Sequence, residues 1–433
     1  MPQVLRHNCF DGTISLTRNG ATASTPWMLR AIFVAIGLST ASVAPFVPVI
    51  LKARGLDPAS IGVVAAVGAL ATTVVVPVWG HLADAALGRR RTFQLGLLIA
   101  ACTAGALLAQ LPIVAAAGLF AGFTVYAGLF LGLGDALAVA DLPSPERQYG
   151  ALRALASLSF TVGVVAVGLL YSWAGYGVAP AVFLVWAGGL LVFVSLVPDH
   201  GGNAAARASA KQAGRDRPVR FGSIGRAFAV QPRLWSVLAM FILAFAGVQA
   251  GVTFLGIRIV ELGGQPSDVA LSFGLSAVTE IPGLVGAGWM GRRFGLRWLF
   301  VASLILYGLC IASWGILPSV IAINATRLVT GVSFGSLTAA RVLLIPRLLP
   351  DTLQATGQVL VQAASVGFGS VMGSVIGGVI YGSVGPTFFF PVASGAAIAG
   401  AIAAWFVLAG PVGARLAGRA PDPPQWGSPP CLL

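Results

Sequence analysis

Charge is what this chain has least of. Asp, Glu, Lys and Arg make up 9% of its 433 residues, against about a quarter in an ordinary soluble domain. So few charges cannot clothe a soluble fold of this size. Histidine is scarcer still: His7, His81 and His200 all lie outside the long apolar runs, which excludes a histidine proton relay within them. The cysteines, Cys9, Cys102, Cys310 and Cys431, include no pair with metal-ligand spacing. Cys102 and Cys310 fall inside apolar runs and are expected to be small buried hydrophobes. The terminal Cys431-Leu432-Leu433 is one residue too short for a prenylation box. No phosphate-binding loop, nucleotide fold, metal cluster or nucleophile-base constellation is present, so the chain is expected to be no enzyme and to need no cofactor, no metal and no direct use of ATP.

What the chain has instead is apolar surface. Hydrophobic residues reach 57%, and runs of ~20 of them, the length that crosses a bilayer, recur from Trp27 to Gly410. Read against glycine, proline and charge punctuation, they predict an all-α polytopic membrane protein of twelve spans: 27–51, 59–79, 93–110, 112–140, 150–173, 178–197, 234–257, 268–290, 297–315, 317–345, 354–382 and 386–409. The polar first 26 residues precede an apolar run too long for a signal-peptide core, so no cleavage is expected.

The formal charge of +13 would suggest nucleic acid if the cations formed one patch. They alternate between connections instead. Arg6 and Arg18, Arg89 to Arg91, Arg147, Arg207 to Arg233, Arg292, Arg293, Arg297, Arg347, Arg415 and Arg419 lie on one side. The other side holds Lys52, Arg54 and Arg258. This asymmetry places both termini and the central loop in the cytoplasm. No nucleic-acid partner is expected, only lipid.

The chain also repeats itself. Gly288-Trp289-Met290-Gly291-Arg292-Arg293-Phe294-Gly295 echoes Gly80 to Arg91 about 208 residues on, without the aspartate, and Gly168-Leu169-Leu170-Tyr171 returns as Gly378-Val379-Ile380-Tyr381. The implied plan is a tail (1–26), a six-helix bundle (27–199), a flexible cytoplasmic linker rich in Ala, Gly and Arg (200–233), a second bundle (234–410) and a tail (411–433).

An ionisable side chain near the bilayer centre costs about 2.5–3.5 kcal/mol on insertion scales, so each one within a span needs a partner, water or a function. Those present are Arg30, Asp135, Arg153, Glu280, Arg327 and Arg341. Asp135 shares a helical stripe with Thr124, Gly128 and Gly132, and Arg153 shares one with Ser157 and Phe160. Spans 4 and 5 are antiparallel neighbours, so Asp135 and Arg153 can pair; the alternative is that each anchors a helix end. Glu280, followed by Ile281-Pro282, can hold a proton and release it when its surroundings hydrate, or donate one structural hydrogen bond. Arg327 can be a second anion contact, a counter-ion for Glu280 or a snorkelling cation. In span 11, Gln358 and Gln362 precede Gly369, Gly373 and Gly377, a ridge suited to close helix contact.

Gly80, Asp84, Gly88, Arg89 and Arg90 resemble the loop between the second and third helices of the major facilitator superfamily of transporters. That resemblance implies two pseudo-symmetric six-helix halves around a central site. Ala44-Pro45-Phe46-Val47-Pro48, Gly55-Leu56, Ile61-Gly62 and Tyr149-Gly150-Ala151-Leu152-Arg153 with Ser157 and Phe160 are similar to the lactose-permease-like branch, which carries sugars, nucleosides and phenylpropionate-type acids with protons. The likeness implies that Asp135 and Arg153 form a substrate-binding pair and that Glu280 serves proton coupling. Span 10 departs from the pattern: Arg327 and Thr330 stand where branch members often carry Gln and His. The expected function is proton-coupled symport of a small organic solute by a monomer in the cell membrane. The candidate site is Asp135, Arg153, Glu280, Arg327, Phe160 and Gln362. The alternative is an efflux antiporter of the same fold, although span 4 lacks the central arginine and span 5 the Gly-Pro motif of such exporters. The absence of a tryptophan around Phe160 weakens a sugar-stacking reading.

Overall fold

The computed structural model describes residues 25–83, 87–106, 115, 118–120, 122–123, 130, 134–135, 145–197 and 221–409. Among them every regular element is helical. In chain order these are α1 (Thr25–Val43), α2 (Val47–Ala53), α3 (Pro58–Leu82), α4 (Arg89–Ala106), α5 (Pro145–Ala174), α6 (Ala179–Leu196), α7 (Phe221–Val230), α8 (Leu234–Glu261), α9 (Pro266–Arg293), α10 (Leu296–Ile316), α11 (Val320–Leu348), α12 (Gln354–Gln362), a π-helical turn (Ala363–Gly369) and α13 (Ser370–Val407). Among the described residues nine stretches are long and apolar enough to cross a membrane. The last, Thr356–Val407, breaks at Gly385 and so holds two spans. The 18-residue α4, opening on three arginines, is the third span. The fourth falls on the scattered positions 115–135, where Gly134 and Asp135 are helical. The chain is thus an all-α polytopic membrane protein of twelve membrane-spanning helices.

Local chemistry sets several helix starts. Asp57 precedes Pro58 and accepts from the Ser60 N–H (3.2 Å) and hydroxyl (2.6 Å), while Gln265 precedes Pro266 in a capping box closed by Asp268. Proline suits the first helical position because its missing N–H would be unpaired there in any case. The first span departs from the continuous helix expected over 27–51. It breaks at Ala44–Phe46, where Pro45 offers no N–H and the Phe46 N–H bonds three residues back to Val43. The linker expected to be wholly flexible contains α7. Its Ile224, Ala227 and Phe228 share one face, Ala227 is fully buried, and Phe228 stacks on Trp235 at 4.2 Å. Cys102, expected to be buried, is exposed on the apolar outer face of α4 that also carries Leu95 and Leu98. Cys9 and Cys431 lie outside the described residues.

Positive-φ glycines record the internal repeat. Gly55 pairs with Gly263, Gly88 with Gly295 and Gly175 with Gly385, each pair 207 to 210 residues apart, and each member sits at a turn between helices. Such turns need a residue without a Cβ, so the same connection geometry recurs in both halves.

The halves meet where α5 packs on α9 and α3 on α13. At the end of the bundle where α5 finishes and α9 begins, called outer here, the Ser267 N–H donates to Ser172 Oγ at 3.0 Å. Beside it Gly62 abuts the Ser374 carbonyl and Gly378, leaving no room for a side chain on either glycine. The ridge of Gly369, Gly373 and Gly377 packs on α8 against Phe245, Ala246 and Ala250.

Candidate functional site

Along the first turns of α5 one stripe is buried and its opposite is open. Leu152, Ala156 and Ser159 face α1, where Gly37 lies against Ser159 and the Ala156 carbonyl. Arg153 and Ser157 face away from that contact. Arg153 Nη1 lies 3.6 Å from Asp135 Oδ2, and both side chains keep solvent access, 44% for the arginine and 29% for the aspartate. Asp135 follows Gly134, which is pressed against Ile36 and Phe33 of α1, so α1 fixes both partners of the pair. Thr124, Gly128 and Gly132 lie outside the described residues.

The third charge comes from the other half. Glu280 sits half-buried on α9, two residues before Pro282. The Arg153 guanidinium is close enough to act electrostatically on its carboxyl. Behind Glu280, α9 and α11 approach so closely that Gly335 touches the Glu280 carbonyl and Gly331 touches Thr279 and the Ser276 carbonyl. One arginine from the first half therefore pairs with an acid of its own half and acts at longer range on an acid of the other.

Arg327 is placed differently. It is 3% exposed and sealed inside the second bundle. Its Nε donates to the Ser272 carbonyl (3.2 Å) and its Nη1 to Thr330 Oγ1 (3.1 Å). Tyr307 is also within hydrogen-bonding reach, and the rings of Trp314 and Phe273 flank the guanidinium at 5.5 and 5.7 Å. Ser272 lies eight residues before Glu280 on α9, about 12 Å along the helix. Burial thus excludes snorkelling, and the acceptors that hold the guanidinium are neutral.

Phe160 is half-buried and packs against the core, its backbone N beside Gly37 at the α1–α5 crossing. Gln362 is exposed at the end of α12, immediately before the π-helical turn. In the charged loop, Gly80 lies in the last turn of α3, Gly88 takes φ 79° and Arg89 opens α4, while Asp84 lies outside the described residues. Arg90 donates to the carbonyls of Val197 (2.9 Å) and Ser195, and Gln94 Nε2 donates to Ser195 Oγ at 2.9 Å. A guanidinium on the last carbonyls of α6 satisfies orphan acceptors at a negative helix end, a partnership about 105 residues distant in sequence that no local pattern announces. Arg341, outside the candidate set, donates to Ser365 Oγ at 2.8 Å.

The profile of the MFS_1 like family matches residues 27–392. The chain is 28% identical over 354 residues to the maltose permease of Geobacillus stearothermophilus, an alignment spanning 80% of this chain and 84% of that protein. The crystal structure of the nucleoside transporter NupG superposes with a TM-score of 0.72 at 16% identity, covering 88% of this chain and 98% of the other. The peptide transporter POT in complex with sulfate superposes with a TM-score of 0.68 at 16% identity, covering 90% and 95%. The folds agree over nearly the whole bundle, and the chain belongs to the MFS_1 like family of the major facilitator superfamily of membrane transporters.

Proposed function

We propose that this chain is a proton-coupled symporter for a small polar organic solute, working as a monomer by rocking the halves 27–199 and 234–410 about a site between them. Asp135 and Arg153 bind the solute, and Glu280 carries the coupling proton. The observation behind this reading is the placement of Arg153: it pairs with Asp135 at 3.6 Å and also feels the charge of Glu280, which belongs to the other half. When Glu280 gains a proton, its attraction for Arg153 falls and the guanidinium is freed toward Asp135 and the solute; loss of the proton reverses the bias. Proton occupancy and solute binding are coupled through that shared arginine. Both termini and the linker 200–233 lie in the cytoplasm, a placement that the distribution of basic residues supports, and the protein resides in the cell membrane. The maltose permease relative makes saccharides the first solutes to try.

Glu280→Gln tests the coupling. In proteoliposomes the variant is expected to exchange solute across the membrane yet lose accumulation under an imposed pH gradient. Retained accumulation would sink the role of Glu280. The direction of pH-driven flux in the unaltered protein separates uptake from efflux.

A further inference from the structure

Among the described residues, a second intramembrane arginine, Arg341, leaves most of its donors unused. Arg341 lies half-buried in α11, seven residues before the helix ends at Leu348. Its described hydrogen bond is the one from Nη1 to Ser365 Oγ, and the Phe245 ring lies 5.6 Å from the guanidinium. Among the described residues no carboxylate is within ion-pair distance of it. A guanidinium has five N–H donors in a planar fork shaped for a carboxylate or phosphate. Arg327, by contrast, donates to two acceptors of its own bundle and is sealed from solvent.

The surroundings of Arg341 are unusual in backbone as well. Ser365, fully buried, sits in the π-helical turn Ala363–Gly369, and single π-turns within α-helices are frequent at functional sites. Gln358, Gln362 and Ser365 follow one another at helical spacing. Gln358 donates to the Val342 carbonyl at 3.0 Å and Ser365 receives Arg341, so this stripe faces α11 around Arg341. Gln362, exposed, lies between them.

The repeat gives the arrangement a meaning. Counting back 207 to 210 residues, the spacing of the paired glycines, carries Gln362 to 152–155, which contains Arg153, and Arg341 to 131–134, just before Asp135. Depth agrees too: Arg153 lies eight residues inside α5 and Arg341 seven residues inside α11 from helix ends on the same side of the bundle, about 10–12 Å in each case. We propose that Arg341, with Gln362 beside it, is an anion-binding subsite on the second half, the repeat counterpart of the Asp135–Arg153 pair, and that it takes a carboxylate or phosphate carried by the solute. This rests on the symport reading above and narrows its cargo. Arg341 supplies a positive charge that an anionic group of the solute neutralises.

The test is a thermal-shift titration of the purified full-length protein with glucose, glucuronate and glucose 6-phosphate, which share a ring and differ in charge. Glucuronate or glucose 6-phosphate is expected to raise the melting midpoint at concentrations where glucose does not. Arg341→Gln should weaken that response at least tenfold, while Arg341→Lys keeps part of it. The proposal is overturned if neither acid shifts the midpoint, if glucose matches them, or if the shift survives in Arg341→Gln. Should Arg341→Gln not yield a monodisperse peak, Ser365→Ala removes the described anchor of the guanidinium and must weaken the same response. A preserved acid shift alongside failed pH-driven accumulation would overturn the coupling reading alone; an acid shift that depends on Arg153 but not on Arg341 would overturn this inference alone.

Discussion

Arg153 and Arg327 are both arginines inside membrane helices, and they occupy opposite kinds of place. Arg153 is 44% exposed and faces carboxylates from two halves, whereas Arg327 is 3% exposed and rests on a carbonyl, a hydroxyl and three aromatic rings of its own bundle. A cation with mobile, charged neighbours can change partners as a solute or proton arrives. A cation satisfied by fixed neutral acceptors can only hold helices together. Residue type and membrane depth are therefore poor guides to role; the acceptors decide.

The largest expected effect separates the two by readout. Arg153→Gln should weaken solute binding on the order of ten- to hundredfold, as loss of a charged hydrogen bond does, with an unchanged melting midpoint. Arg327→Gln should do the reverse, costing about 2–4 kcal/mol of stability because buried acceptors and rings lose their cation, with binding retained by whatever protein folds. If both variants fail in the same assay, the contrast is wrong.

Accessibility offers a smaller, sharper test. With Cys9, Cys102, Cys310 and Cys431 replaced by serine, Arg153→Cys should react with a water-soluble thiol reagent and Arg327→Cys should not; equal labelling would contradict the burial described. Introducing Gly378→Leu, which places a side chain against Gly62 and Pro58, should change the labelling rate at position 153 several-fold and leave position 327 unreactive.

The smallest effect lies outside the membrane and serves as a control. Hydrogen bonds from the Ser60 side chain and backbone hold the Asp57 carboxyl below its usual range. A depressed folded-state value means that its contribution is present above the ordinary carboxylate pKa and lost as pH falls through the lowered one. Asp57→Asn should remove the slope of stability against pH in that acid window, with stability slightly lower above it, unchanged below it, and binding unaffected. A slope that persists in the acid window would contradict the assignment.

How far the sequence carries depends on which property a pattern encodes. Span lengths and the repeat are legible because bilayer thickness and turn geometry act on local residues; Asp135 and Arg153 can be paired because a short connection brings their helices side by side. The seal around Arg327 is not legible in the same way. A helix that is apolar all round carries no stripe to say which way it faces, so Ser272, Tyr307 and Trp314 become its neighbours only once α9, α10 and α11 are packed. The same holds for Arg90 on the end of α6 and for Arg341 on Ser365. The break at Pro45 was written in the chain, yet it competes with an unbroken apolar run that hydropathy favours.

The contacts that join the halves at the outer end carry a consequence of their own. Gly62 on Gly378 and Ser172 on Ser267 are a backbone contact and a neutral hydrogen bond, with no charge to screen. Counter-ions have little purchase on such a joint, so the balance between its shut and parted forms should be nearly indifferent to ionic strength, and the protein can keep its timing in dilute and concentrated surroundings alike.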